Sequence, residues 1–345
     1  MKRPSLLASW RVMWRLMWRV MALVVATVGF QHTAHTAPAA PPATPDALVR
    51  IAWMGDVMLA DGPGRLIRRG GDPFKPFASR LDQADLRIAN LECVIAAAGK
   101  AADKPWTFLA HPRVLPVLKR HVDVVSLANN HSGDFGRGAF AEMLGRLQRA
   151  DLPYFGGGHN LREAHRPLII ERKGVKIALL GYDEFFPRAF EAGEDQAGVA
   201  WSEDEQVAFD ISQARLHADV VIPFMHWGQE HEPLSNARQH QLARLMIDAG
   251  ADAVVGTHPH VVQDTEVYQG KPIIYSLGNF VFDGFSSEQN NTGWVLWLDV
   301  SRQGVQTWRV EVAHMDRQGT PHPAKEPARP LGNQSRASAG PPVVK

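Results

Sequence analysis

Residues 122–136 read VDVVSLANNHSGDFG, an apolar β-branched run that leads directly into a group of polar side chains. The run has the length and composition of a buried strand. In open α/β sheets, ligands bind beyond the carboxyl ends of the strands. This stretch therefore predicts a buried strand whose end presents Asn130 and His131 to a site.

Similar apolar runs recur between about residues 48 and 312, and amphipathic helical patterns separate most of them. The runs are Val49–Met54, Leu86–Leu91, Val122–Leu127, Val175–Tyr182, Val220–Met225, Ala253–Gly256 and Ile273–Leu277. Helical patterns fill Arg113–Arg120, Gly138–Ala150, Glu203–His217 and Asn236–Gly250. Turns, not helices, separate the last runs, which favours antiparallel strands there. We therefore predict an α/β fold in which a two-layer β-sandwich is flanked by helices.

Polar groups also follow four other predicted strands. These groups are Gly55-Asp56, Asn90-Leu91-Glu92, His226-Trp227-Gly228-Gln229-Glu230 and Gly256-Thr257-His258-Pro259-His260. A single strand-end Asp or His is more often a turn or capping residue than a ligand. Because the loops at one edge of a sheet converge, five such ends together predict a shared site.

The residue types at these ends are those that bind divalent metal ions. Imidazoles, carboxylates and an amide oxygen suit Mn, Fe, Zn or similar ions, and two such ions can activate water for displacement at phosphorus. His258 and His260 are two residues apart, so in an extended segment both imidazoles point the same way. Glu92 can bridge two ions about 3.5 to 4 Å apart.

The motifs together resemble the bacterial capsule synthesis protein CapA family over about residues 49 to 300. They are GD-x-ML (55–59), NLE (90–92), SLANNHSGDFG (126–136), HWGQE (226–230), GTHPHVVQ (256–263) and YSLGNFVFD (275–283). That family is associated with poly-γ-glutamate capsule synthesis or export. It is in turn similar to calcineurin-like metallophosphoesterases, and this similarity implies their sandwich architecture and a centre with two divalent metal ions.

The resemblance also implies roles for individual residues. The implied metal ligands are Asp56 and His260 for one ion, Asn130, His226 and His258 for the other, and Glu92 between them. His131 would donate a proton to the leaving group. Asp134 either orients His131 or caps the following helix. Met58 stands where the phosphoesterases have a histidine, so we expect the two ions to be held unequally.

Composition excludes several classes of protein. Hydrophobic residues make up 45% and charged residues 21% of the 345 residues, which excludes a chain disordered throughout and a multi-span membrane protein. The formal charge of +1 gives no basic field for nucleic acid. A lone cysteine, Cys93, excludes an internal disulfide framework and a cysteine-based zinc cluster.

The first 39 residues predict a secretory signal peptide or an N-terminal membrane anchor. A cationic WRVM-type repeat at 10–21 precedes a short apolar stretch at 21–30 and an A-x-A sequence at 37–39. We predict a Pro/Ala linker at 40–47, a domain that resembles the CapA family and the metallophosphoesterases at 48–314, and a disordered tail at 315–345. The protein would then be exported to the periplasm or to the outer face of the cytoplasmic membrane, with membrane contact only through the N-terminal segment.

Two functional classes remain open. The first is an exported metal-dependent hydrolase that acts on a phosphoester or on a link in a cell-surface polymer. The second is a non-catalytic accessory protein that binds an acidic polymer or a membrane-embedded capsule synthase. Without the five cations that precede Asp46, the chain has 32 cationic and 36 anionic residues. An acidic body would need bound metal or a local basic stripe, such as Arg65, Arg68 and Arg69, to hold a polyanion.

Overall fold

The computed structural model describes residues 47–326 and 328–333. The predicted signal peptide or anchor at 1–39 lies outside the described residues, and so does the predicted linker at 40–47 except for its last residue. In the described ranges, no helix combines the length and the apolar character that crossing a bilayer requires.

Two large β-sheets form the centre of the described fold, and the first contains nine strands. Seven of them run in the spatial order β18 (Pro321–Pro323), β17 (Gly304–Met315), β16 (Thr292–Ser301), β1 (Val49–Val57), β2 (Leu86–Leu91), β5 (Val124–Ser126) and β6 (Tyr154–Phe155). In addition, β15 (Asn279–Val281) pairs with β1, and β19 (Arg329–Asn333) pairs with β17. Strands β1, β2, β5 and β6 are parallel, whereas β16 and β17 are antiparallel to their neighbours.

The second sheet contains six strands with a parallel centre and antiparallel edges. Its spatial order is β13 (Thr265–Tyr268), β14 (Lys271–Ile274), β12 (Val254–Thr257), β11 (Val220–His226), β9 (Val175–Asp183) and β8 (Leu168–Arg172). Short two-stranded pairs join β3 (Val94–Ile95) to β4 (Leu109–Ala110) and β7 (Gly157–Gly158) to β10 (Gly198–Val199).

The two sheets pack face to face because alternate residues of their strands are apolar on the inner side. In β1, Ile51 and Trp53 belong to the core between the sheets, whereas Ala52 and Met54 face the outer helical layer. The Trp53 ring meets the ring of Phe224 from β11 edge-on, with centroids 5.0 Å apart. This contact joins the inner faces of the two sheets close to the ends of β1 and β11.

Helices cover the outer faces of both sheets. They are α1 (Asp61–Arg68), α2 (Ala78–Leu81), α3 (Leu115–His121), α4 (Gly136–Arg149), α5 (Leu161–His165), α6 (Asp204–Arg215) and α7 (Ala237–Asp248), with 3₁₀ turns at Lys75–Phe77 and Pro112–Val114. Helices α1 to α4 pack on the first sheet, and α6 and α7 pack on the second. The predicted α/β sandwich flanked by helices is confirmed.

The predicted disordered tail at 315–345 is wrong for the part of it that the structure describes. Strands β18 and β19 both pair with β17, and Leu331 packs against the core between the sheets. A Cβ at Gly332 would lie 2.4 Å from the Trp308 ring, so glycine permits the close approach of this strand. The segment lacks apolar alternation, and it is ordered because β17 offers an unpaired edge.

Candidate metal centre

Glu92 occupies the middle of a buried cluster at the carboxyl ends of the strands. Its Oε1 atom has no hydrogen-bond partner. The Nε2 atoms of three histidines surround that oxygen, at 3.7 Å for His260, 3.8 Å for His226 and 3.9 Å for His131. His226 ends β11, whereas His131 and His260 lie in the loops after β5 and β12, so the tertiary fold brings the three together.

Asp56 lies beside Glu92 at the end of β1. One oxygen of its carboxylate accepts a hydrogen bond of 2.8 Å from Nδ2 of Asn90, and the other lies 3.4 Å from Nδ1 of His260. Ligand atoms of Asp56, Glu92 and His226 all lie within 4.8 Å of one another. Both sheets therefore contribute to one compact donor set.

The second sheet contributes His226 and His258. Nε2 of His226 lies 2.9 Å from Oδ1 of Asn130 and 3.1 Å from Nδ1 of His258. The ring of Phe185 packs edge-on against His258 with a centroid distance of 4.8 Å. The loop that carries Asn130 is held in place by its neighbour Asn129, whose side chain bonds both Asn90 and the backbone of Leu91.

The H-x-H segment adopts an unusual backbone conformation. His258 and His260 have φ angles of 98° and 55°, in the left-handed region that disfavours residues with a Cβ. Nδ1 of His260 lies 2.9 Å from Oδ1 of Asn279, which fixes the ring with Nε2 toward Glu92. Such strain is typical of functional sites, where the surrounding structure maintains it.

The electrostatics of the cluster suit a cationic occupant. Burial, followed by the Asp56 charge, raises the pKa of Glu92 well above its usual value. Burial lowers the pKa of His258 to about 3 and that of His226 well below the ordinary range, which keeps both rings neutral and able to bind metal. Burial opposes ionisation of Asp56 most strongly, but the hydrogen bonds and the charge of His260, helped by Asn90, outweigh it and lower the pKa of Asp56.

His131 is the inner end of a chain of charged side chains. Its Nδ1 lies 2.8 Å from Oδ2 of Asp134, and Oδ1 of Asp134 lies 2.5 Å from Nζ of Lys104. Lys104 also donates a hydrogen bond of 2.9 Å to the backbone carbonyl of Asn130. Helix α4 begins at Gly136 without a side-chain cap, so Asp134 orients His131 and does not cap the helix.

The residues present fit a metal centre. Oε1 of Glu92 and Nε2 of His258 are buried ligand atoms without a hydrogen-bond partner. Leaving such groups unsatisfied costs about 1 to 3 kcal/mol each. A divalent ion bound among Asp56, Glu92 and His226 would satisfy Oε1 of Glu92, and the mixed imidazole, carboxylate and amide set suits Mn, Fe, Zn or similar ions.

The structure brings every predicted site residue to this cluster, namely Asp56, Glu92, Asn130, His131, Asp134, His226, His258 and His260. Met58 does not supply a donor in place of the missing histidine, because its Sδ accepts a contact of 3.1 Å from the backbone N–H of Ala60. The predicted catalytic and metal-binding roles remain predictions.

Sequence reasoning missed two polar residues near the cluster. Lys104 lies in a loop without any periodic pattern, and no sequence signal marks it. Asp183 ends β9 and pairs in register with His226, and burial raises its pKa to about 7. The strand-end rule that identified Asp56 could have identified Asp183 as well.

The described fold is a two-sheet α/β sandwich with buried carboxylates and histidines at its strand ends, an arrangement that could hold a metal ion. The model of the family described as bacterial capsule synthesis protein PGA_cap matches residues 50–284. The chain therefore belongs to the bacterial capsule synthesis (CapA) family, as the motifs predicted.

Two relatives and one solved structure illustrate the similarity. The PGA biosynthesis protein CapA of Bacillus subtilis is 34% identical over 81% of this chain and 75% of its own length. The capsule biosynthesis protein CapA of Bacillus anthracis is 32% identical over 68% of this chain, and the match spans 59% of that protein. The 5'-nucleotidase precursor of Thermus thermophilus is 12% identical, with a TM-score of 0.49, over 80% of this chain and 56% of that chain.

Proposed function

We propose that this capsule-family protein is an exported metal-dependent hydrolase that acts on a phosphoester or on a link in a cell-surface polymer. The observation that supports this most directly is the unpartnered Oε1 of Glu92 among three imidazole nitrogens at 3.7 to 3.9 Å. The names of the Bacillus relatives support a place in capsule biosynthesis, with poly-γ-glutamate as the associated polymer.

Two divalent ions would be held by six side chains, with Glu92 between the two ions. These side chains are Asp56, Glu92, Asn130, His226, His258 and His260. When bound, such ions polarise a phosphoryl oxygen and lower the pKa of water. The raised pKa of Glu92 couples metal binding at this site to proton release, whereas the neutral imidazole of His226 can bind metal without losing a proton.

His131 would supply the proton that the leaving group requires. Its Nε2 faces the cluster at 3.9 Å from Glu92, while Nδ1 is held by Asp134 at 2.8 Å. This pairing fixes the ring orientation and places the transferable proton on Nε2 when the ring is cationic. Lys104 pairs with Asp134 and donates a hydrogen bond to the Asn130 carbonyl, so it links the partner of the proton donor to the loop that carries Asn130.

Hydrolysis of bis(p-nitrophenyl) phosphate by the metal-loaded protein tests the proposal. We expect turnover to fall about 100-fold or more in His131→Ala, since general acid catalysis is of this size. The exposed His217, which follows helix α6, offers a matched control, and His217→Ala should keep full turnover. If no divalent ion supports turnover, the proposed hydrolase function is contradicted. If turnover survives in His131→Ala, the assignment of His131 as the proton donor is contradicted.

The non-catalytic alternative is an accessory protein that binds an acidic polymer or a membrane-embedded synthase. It gains support if the protein binds metal and poly-γ-glutamate but hydrolyses nothing.

Export is tested separately by fractionating cells that produce the full chain. We expect the protein in the periplasm or on the outer face of the cytoplasmic membrane, because the cationic repeat at 10–21 precedes a short apolar stretch. Recovery of the intact chain from the cytosol contradicts export.

A further inference from the structure

A cleft of about 500 Å³ opens beside the metal centre. His131 and His260 line both the cleft and the cluster, so the two form one continuous space. This volume is typical of sites for small organic ligands.

Aromatic rings form a continuous wall of this cleft between the two histidines. The Phe108 centroid lies 4.4 Å from that of His131 and 5.5 Å from that of Phe282. Phe285 continues the wall, at 5.4 Å from Phe282 and 5.2 Å from His260. A group attached to a phosphate at the metal centre would therefore contact ring edges and faces.

Trp106 extends the same lining toward solvent. Its side chain is 72% exposed, although it lines the cleft only two residues from Phe108. A large aromatic side chain that is mostly exposed leaves apolar ring surface open to a ligand. The mouth therefore offers a stacking surface to an incoming ring.

The charges of the cleft disfavour a polyanion. Asp61, Glu230 and Asp283 line it, and Arg65 is the one lysine or arginine among its described lining residues. The Arg65 guanidinium lies 3.8 Å from Asp61 and 3.5 Å from Asp283, so its charge is already compensated. A poly-γ-glutamate chain carries a carboxylate in each residue, and these carboxylates would meet like charge beyond the metal ions.

We propose that the cleft binds the aromatic organic group of a small phosphoester whose phosphate lies at the metal centre. This inference rests on the proposed function, and it selects a small aryl or aromatic heterocyclic ester over the capsule polymer as the substrate class. Ring contact supplies the affinity, because aromatic pairs add favourable energy beyond the apolar area that they bury.

Calorimetric titration of the metal-loaded protein with phenylphosphonate and with methylphosphonate tests this inference. Neither compound is hydrolysed, so the result does not depend on turnover. We expect the phenyl compound to bind about tenfold more tightly than the methyl compound, because contact of one ring with an aromatic site increases affinity by about this factor. In Trp106→Ala and in Phe285→Ala the ratio should fall toward one.

Phe209→Ala is the matched control, because Phe209 is an exposed ring on α6 that does not line the cleft. The ratio should remain at its wild-type value there. Trp106 is exposed, so Trp106→Ala should leave the core intact. This variant therefore still tests the inference if Phe285→Ala proves unstable.

Equal affinity for the two phosphonates, binding of neither, or an unchanged ratio in Trp106→Ala overturns the inference. Displacement of phenylphosphonate by γ-linked glutamate oligomers overturns it as well. Turnover of phosphodiesters without any aryl preference removes this inference and leaves the proposed function standing. Tighter binding of the phenyl compound without turnover of any phosphoester contradicts the proposed function and leaves this inference standing.

Discussion

The carboxylate of Asp134 lies 2.8 Å from Nδ1 of His131, and the same side chain accepts a 2.7 Å hydrogen bond from the backbone N–H of Phe108. Neither interaction involves helix α4, which begins without a side-chain cap. Asp134 therefore holds the His131 ring and does not cap helix α4, two roles that the sequence alone does not distinguish.

Asp134→Asn should lower kcat on a phosphodiester about 10 to 100-fold with little change in KM, because the amide no longer stabilises a cationic His131 ring. The steady-state kinetics of the metal-loaded variant measure this. The exposed Asp195 provides the control, and Asp195→Asn should match wild type. An unchanged kcat in Asp134→Asn would mean that His131 needs no such partner.

Replacing both His258 and His260 by Ala should reduce bound metal to background, since it removes an imidazole from each ion. Elemental analysis of purified protein measures the metal content. The fold should survive, because both residues follow β12 and do not belong to it. His231→Ala, an exposed histidine on the cleft rim, should retain full metal content. Equal metal in the double variant and in wild type refutes the assignment of these ligands.

Metal titration of the stripped protein should reveal two sites of unequal affinity. Asp56, Glu92 and His260 are the predicted ligands of one ion, whereas Glu92, Asn130, His226 and His258 are those of the other. The thioether of Met58 bonds the Ala60 N–H and adds no ligand to the first set. We expect one ion to be lost on dialysis and activity to rise on added Mn²⁺. Two equally tight sites in the calorimetric isotherm contradict this.

Truncation after Met315 should lower the melting temperature by several degrees, because it removes β18, β19 and the packing of Leu331 on the core. Leu331 is partly buried, so its packing contributes less than the about 1.5 to 3 kcal/mol of a fully buried leucine, and each kcal/mol shifts the melting temperature of a domain of about 150 to 250 residues by about 2 to 4 °C. Truncation after Asn333 is the control and should change the melting temperature little. Identical melting of the two shortened proteins would show that β18 and β19 add no stability.

Cys93 should resist alkylation in the folded protein. The thiol is fully buried, and burial raises its pKa to about 12, so thiolate is scarce at about pH 8. Mass spectrometry after treatment with iodoacetamide should show modification only when denaturant is present. Rapid labelling of the native protein would mean that the segment next to Glu92 opens readily.

The sequence alone determined the layered architecture and most of the side chains that meet at the strand ends, with Lys104 and Asp183 as the exceptions. Strand alternation is a local property, and it places Ile51 and Trp53 on one face of β1 without knowledge of the rest of the chain. The position of Asp56 or His226 directly after an apolar run is equally local. Because parallel strands end at a common edge, local patterns sufficed to predict which side chains meet.

Only the tertiary structure decided how those side chains are arranged and what supports them. Lys104 reaches Asp134 from a distant loop, and that loop has no pattern that predicts this contact. Likewise β19 is ordered by the edge of β17 and not by its own composition. Contacts of this kind depend on the surface that the rest of the chain presents. They therefore cannot be predicted from the sequence of the segment itself.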